Sequence, residues 1–195
     1  MDMPRPNPDV LSRKGRIVAR LRAVLPTDAV IDDPAETRAY ECDGLSAYRC
    51  PPLVAILPRT TAQVAAALKV CSEEGVPVVP RGAGTSLSGG ALPTADAVIL
   101  GLARMNRVLE TDFANRFIRV EAGRTNLSVT GAVEGEGFFY APDPSSQLAC
   151  AIGVPIQRRL SIALQIPESR PEREHFDERH SSPTTSRRPF ERRKP

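Results

Sequence analysis

Two kinds of hydrophobic run organise the first 153 positions, and each predicts an element. From Arg13 to Leu25, Ile17, Val18, Leu21, Val24 and Leu25 recur at helical spacing and stop at Pro26, predicting a helix. Leu53 to Leu57 is a continuous apolar stretch between prolines, predicting a short buried strand. Thr60 and Gln63 then form a capping-box pattern, opening a helix expected to run to Glu74 with Val64, Ala67, Leu68 and Cys71 on its apolar face. Gly75 stands where a left-handed C-terminal cap is wanted, and Val76 to Val79 reads as the next buried strand. Strand, helix and strand with short links make a βαβ unit with parallel strands. Ala97–Leu102, Val108–Glu110 and Phe117–Glu121 predict three more strands, with turns at Asn106, Asp112 and Asn115. Leu127–Val133 predicts a helix, Phe138–Tyr140 a short strand, and the polar, proline-rich residues 1–12 a disordered lead. The pattern is that of an α+β protein.

Composition narrows this only slightly. At 195 residues, 41% hydrophobic and 25% charged, the chain fits one soluble globular domain or a little more. Aromatics are 5% with no Trp, so an aliphatic core is expected. No apolar run approaches the roughly 18–20 residues of a membrane span, and the start lacks the apolar stretch of a secretory signal. A soluble, cytoplasmic chain is expected. Cys42, Cys50, Cys71 and Cys150 form no C-x-x-C pair and have no nearby His, which favours reduced, mostly buried thiols over a zinc site.

Charge is unevenly placed. The formal charge is +3, but residues 154–195 alone carry 9 Arg and 1 Lys against 6 acidic residues, leaving the first 153 slightly negative. All 13 glycines lie at or before Gly153, while the later segment has 6 prolines and cannot bury a core. His175 and His180 lie in that tail and read as solvated rather than metal-ligating. A nucleic-acid arm built on its Arg pairs is disfavoured by the interspersed acids and the scarcity of aromatics.

Between the second strand and Ala97 lies Pro80-Arg81-Gly82-Ala83-Gly84-Thr85-Ser86-Leu87-Ser88-Gly89-Gly90-Ala91. Glycines let backbone approach a ligand closely, and successive N–H groups with the hydroxyls of Thr85, Ser86 and Ser88 make an anion cradle suited to pyrophosphate. A P-loop is excluded by the missing Gly-Lys-Ser/Thr, and the dinucleotide fingerprint by glycines at 82, 84 and 89. Spacing favours a phosphate-type ligand while leaving a purely structural loop open.

These residues resemble the FAD pyrophosphate loop of the vanillyl-alcohol-oxidase, or PCMH-type, flavoproteins, and most of all the FAD-linked D-subunit of glycolate oxidase with the related D-lactate dehydrogenases. Tyr40-Glu41-Cys42-Asp43-Gly44, Pro58 with Thr61-x-Gln63-Val64, and Tyr140-Ala141-Pro142-Asp143-Pro144-Ser145-Ser146-Gln147 resemble further stretches of that subgroup. The resemblance implies residues 33–153 to be the N-terminal part of a PCMH-type FAD-binding domain, after a lead at 1–32 and before a disordered tail at 154–195. It implies FAD contacts from Arg81, Gly82, Ala83, Gly84, Thr85, Ser86, Leu87 and Ser88, with Gly89 and Gly90 allowing close approach. Pro58, Val79 and Pro80 would border the cofactor, and Pro142, Asp143, Pro144, Ser145 and Ser146 would meet it from the next segment, as would Gly123 and Gly153. Arg124 has no assigned place, and for Arg81 a loop-supporting salt bridge and a direct phosphate contact stay open. Where covalent members carry the flavin-linking histidine this chain has Thr85, so non-covalent FAD is expected.

The family continues after Gly153 with a further glycine and an Asn/Ser/Gly-rich turn, whereas this chain reads Val154-Pro155-Ile156-Gln157-Arg158-Arg159. A frameshift or a gene-model error near codon 153 is the expected origin of the change. The resemblance implies the FAD-binding part of a flavin-dependent oxidoreductase acting on a 2-hydroxy acid such as glycolate or D-lactate, expected to be incomplete for catalysis without the family's later, substrate-binding segments. Other glycolate oxidase subunits are implied as partners, neither nucleic acid nor a membrane span is expected, and no catalytic residue or metal ligand is assigned. The alternative is a non-catalytic FAD-binding or interaction module.

Overall fold

The computed structural model describes residues 3–142, 144–146 and 148–153, together with the strand at 161–163. Its helices are α1 (Pro8–Ser12), α2 (Lys14–Val24), α3 (Pro34–Thr37), α4 (Thr61–Glu74) and α5 (Asn126–Gly131). Its strands are β1 (Val30–Ile31), β2 (Val54–Ile56), β3 (Val78–Arg81), β4 (Val98–Gly101), β5 (Val108–Asp112), β6 (Phe117–Val120) and β7 (Ser161–Ala163). One sheet has the order β1-β2-β4-β3 and the other β5-β6-β7. The α+β class is as expected.

The βαβ unit is present but split. β2 and β3 run parallel through β4, which lies between them and pairs with both. β2 and β4 are buried at every position, as continuous apolar runs of a covered parallel sheet should be. β3, expected to be buried, is instead a half-exposed edge, which tolerates Pro80 inside a strand because no central ladder bond is lost.

α4 forms as its signals dictate. Thr60 Oγ1 accepts the Gln63 N–H at 3.2 Å, and the Gln63 carbonyl oxygen Oε1 accepts the Arg59 N–H at 2.7 Å. Gly75 closes the helix with φ 63°. Its buried face is Ala67, Val70, Cys71 and Glu74, so Leu68, expected inward, points out and Val70 replaces it. In α2, likewise, Ile17, Val18 and Leu21 are buried while Val24 is exposed.

The expected disordered lead is partly ordered. Asn7 caps α1 through its side chain, with Pro8 in the first helical turn, and donates its own N–H to Asp96 at 2.8 Å. Val10 is thereby packed into the same core as Ile17, Leu21, Ile56 and Val98. Buried Glu74 ties α4 to α2 and its N-cap by pairing with Arg13 (2.5 Å), Arg16 (3.1 Å) and Arg20 (2.7 Å). The hydrogen bond from Arg20 depresses its carboxyl below the usual range, outweighing the opposing effect of burial.

A second cluster of Ile118, Val120, Val129, Val133 and Ile152 lies under β6 and α5. Phe138 and Tyr140 pack on it, but the expected strand there is reduced to a single bridge position at Phe139 and is in neither sheet of the described residues; Phe138 stacks on Phe113 at 5.3 Å. α5 begins one residue earlier and ends two earlier than expected. Of the tail expected to be disordered, Ser161–Ala163 pairs antiparallel with β6, and the remainder, with His175 and His180, lies outside the described residues. Of the four thiols only Cys71 is buried, which pushes it up to about 11; the other three are half-exposed, contrary to expectation.

Candidate functional site

The loop leaves the C-terminal end of β3 at Arg81, beside the ends of parallel β2 and β4, where open parallel sheets place their ligand crevice. Gly84 and Gly89 adopt φ of 73° and 75°, a region that L side chains rarely enter. Ser86 Oγ accepts the Ser88 and Gly90 N–H groups, both at 3.3 Å, closing a tight turn. Those two amides are therefore engaged within the loop. The N–H groups of Gly84, Thr85, Ser86 and Leu87 have no acceptor among the described residues. They are the donors that the loop leaves open among the described residues.

Arg81 supports the loop through backbone carbonyls rather than through the expected salt bridge. Among the described residues it pairs with no carboxylate; its Nη1 donates to the Cys42 carbonyl at 2.7 Å and the Ala91 carbonyl at 3.4 Å. The guanidinium lies 5.8 Å from the Tyr40 ring centroid and directly beneath Gly84, where an added Cβ would overlap it.

The opposite wall is a short ladder. Gly153 and Ile152 donate to the carbonyls of Ala122 (2.7 Å) and Arg124 (2.9 Å), and Asn126 donates to Cys150 (2.9 Å). Gly123 donates to the Met105 carbonyl at 2.7 Å, and Gly153 lies so close to Ala122 that an added Cβ would sit 2.7 Å from its Cα. Just before Gly123, buried Glu121 accepts from Arg107 Nη2 at 2.8 Å, which holds its carboxyl below the usual range against the effect of burial.

Between ladder and loop is a cleft of about 280 Å³, bounded by Ala83, Gly123, Arg124, Thr125 and Ala151 among others. Ala83 and Gly123, named separately from the sequence, meet there. Arg124, which had no assigned place, donates to the carbonyls of Asn106 (3.2 Å) and Ser128 (2.8 Å), while its buried Nε has no partner.

Other expected residues sit around the cleft rather than in it. Pro58 is fully buried at the end of β2, and Val79 and Pro80 lie on edge strand β3. Pro142 is held by buried Asn126, whose Nδ2 donates to its carbonyl at 2.8 Å. Ser146 accepts the amides of Ala149 (2.9 Å) and Cys150 (2.7 Å), turning the chain back toward the ladder; Pro144 and Ser145 precede that turn. Asp143 lies outside the described residues. Sequence reasoning gave no role to Asn126 or Asp43. The helix-start position of Asn126 and the Asp-Gly pair at 43–44 were the available signals.

The loop, the cleft and the split parallel unit describe a recognisable kind of domain, and residues 52–161, more than half of the chain, match the family described as FAD binding domain. The chain belongs to the FAD binding domain family. It is 47% identical over 137 residues to glycolate oxidase subunit GlcD of Escherichia coli (strain K12), covering 70% of the chain and 28% of that protein. Identity to GlcD of Bacillus subtilis (strain 168) is 41% over 122 residues, 63% of the chain and 26% of the relative. The chain thus spans about a quarter of the length of these curated relatives. Among solved structures, alkyldihydroxyacetonephosphate synthase superposes with a TM-score of 0.65 at 20% identity, covering 78% of this chain and 29% of that one, a likeness of fold. The resemblance to the FAD-linked glycolate oxidase subgroup therefore holds. Among the described residues no helix is long and apolar enough to cross a membrane.

Proposed function

We propose that this chain supplies the FAD pyrophosphate site of a flavin-dependent oxidoreductase that converts a 2-hydroxy acid, glycolate or D-lactate, to the 2-oxo acid. The observation that carries the reading is the set of amides from Gly84 to Leu87 with no partner among the described residues, at the carboxyl end of a parallel sheet beside a cleft lined mostly by small residues. A dianionic pyrophosphate meets N–H donors there, and the absence of bulky side chains at Ala83, Gly123 and Ala151 leaves room for the rest of a dinucleotide. The residues present fit FAD.

Thr85 and its neighbours would hold the pyrophosphate by backbone and hydroxyl, and the ladder at Gly123–Thr125 and Cys150–Gly153 would border the remainder. When bound, FAD supplies the acceptor for the two electrons and hydrogen removed from the substrate α-carbon. The chain's own part is to bind, orient and shield that group. With Thr85 at the attachment position, the bond to flavin is non-covalent. Identity to glycolate oxidase subunits supports the substrate class and an assembly with other subunits of such an enzyme. Four unpaired thiols support a reducing, cytoplasmic setting.

Titrating the purified chain with FAD tests the binding step. Saturable quenching of flavin fluorescence, with all flavin released by acid precipitation, is expected. No uptake, or flavin retained on the precipitated chain, would contradict the reading or its non-covalent form respectively.

A further inference from the structure

The segment Tyr40–Leu45 lies beneath the loop and is tied to both of its ends. Asp43, only 5% exposed, accepts the Leu45 N–H through Oδ1 at 2.9 Å and the Ala91 N–H through Oδ2 at 3.4 Å. Arg81, at the loop's start, reaches the Cys42 carbonyl and the Ala91 carbonyl with one nitrogen. Ala91, at the loop's end, is thus gripped on its N–H by Asp43 and on its C=O by Arg81.

Gly44 completes the contact. A Cβ built there would lie 2.8 Å from the Ser86 carbonyl oxygen, 3.0 Å from that of Thr85 and 3.2 Å from Leu87 Cδ2. Those residues carry the free amides, so the platform meets this part of the loop at carbonyl oxygens and a side chain rather than at its N–H groups. The platform is itself braced: Cys50 donates to the Glu41 carbonyl at 2.7 Å, and the Glu41 carboxylate pairs with Arg49 at 3.0 Å. A glycine-rich loop with both ends free would sample many shapes, and ordering it on binding would cost affinity.

We propose that Tyr40–Leu45 is a preorganising platform, with Asp43 and Gly44 as positioning residues that hold the loop in its ligand-ready shape before the ligand arrives. The inference rests on the pyrophosphate-loop reading above. It predicts a kinetic signature: reducing the fraction of competent loop lowers the apparent affinity by that fraction, through association rather than dissociation.

The experiment compares the full chain with D43N and G44A in stopped-flow FAD binding. The second variant keeps every hydrogen-bond partner and adds only a wedge. In both, association should slow about tenfold while dissociation stays within about twofold. In a parallel arm without FAD, trypsin cleavage after Arg81 should be faster in both variants than in the parent. Unchanged association in G44A, or a loss confined to the dissociation rate, overturns the proposal. If the parent binds no FAD but the variants are cleaved faster, the platform stands and the FAD reading falls. If neither cleavage nor association changes, the platform is refuted whatever the ligand.

Discussion

Replacing Gly123 by alanine probes the ladder that walls the cleft. Gly123 has no positive φ, so its backbone suits alanine; the obstacle is space alone. An added Cβ would lie 2.7 Å from the Leu102 carbonyl carbon and 2.8 Å from the Met105 carbonyl oxygen, and would overlap the Leu102 oxygen. These are backbone atoms, and the Met105 carbonyl also accepts the Gly123 N–H, so neither can rotate away. Overpacking of this kind costs about 1–3 kcal/mol, and the upper end applies because two carbonyls must move. Reduced freedom of the unfolded chain returns about 0.4–1 kcal/mol. The net loss is about 2 kcal/mol, which for a chain of this size lowers the melting temperature by about 4–8 °C. Thermal unfolding followed by circular dichroism reads it directly. Gly131→Ala is the control, because it sits in α5 with nothing within 4 Å of the added Cβ. It should be neutral or stabilising by up to about 1 kcal/mol. An unchanged or raised melting temperature in Gly123→Ala would refute the packing given for the ladder.

Further predictions concern the supports of the fold. Glu74 and Glu121 both have carboxyls depressed in the folded state, by Arg20 and Arg107 respectively, so they contribute stability at pH values above the unfolded carboxylate value of about 4.3. That stability is lost as pH falls through their folded values, and Arg20→Ala should move the midpoint of acid unfolding upward; an unmoved midpoint would show that the Arg20 pair contributes nothing. Thr60→Ala removes the side-chain acceptor for the Gln63 N–H and should cost about 1 kcal/mol in denaturant unfolding. A change below a few tenths of that would mean that Gln63 and water cap α4 unaided.

Much of this architecture was legible in the sequence because its signals are local. The Thr60–Gln63 pattern and Gly75 bound α4 to the residue, and the apolar runs at 53–57 and 97–102 located β2 and β4. What failed depended on distant partners. That Leu68 faces out and Val70 in follows from where α2 packs, with Glu74 drawn to three arginines. β3 was expected inside because nothing local says that β4 would insert between β2 and β3. Residues 1–12 read as unstructured because their few apolar side chains, Val10 and Leu11 among them, form no helical period; the segment is ordered by Asn7 meeting Asp96 far along the chain. At the site, the glycines and hydroxyls of the loop marked it as a candidate anion cradle, but the Ser86 turn that engages two of its amides is a tertiary detail. The role of Arg81 was open for the same reason, since the carbonyls of Cys42 and Ala91 carry no mark in the sequence.

The central claim is that the Gly84–Leu87 amides are a site for the FAD pyrophosphate. Calorimetric titration of the purified chain with FAD, repeated in the presence of excess inorganic pyrophosphate, tests it most directly. Saturable binding at one FAD per chain, competed by pyrophosphate, is the predicted result. A folded chain that takes up no FAD, or binds it without competition, would contradict the account.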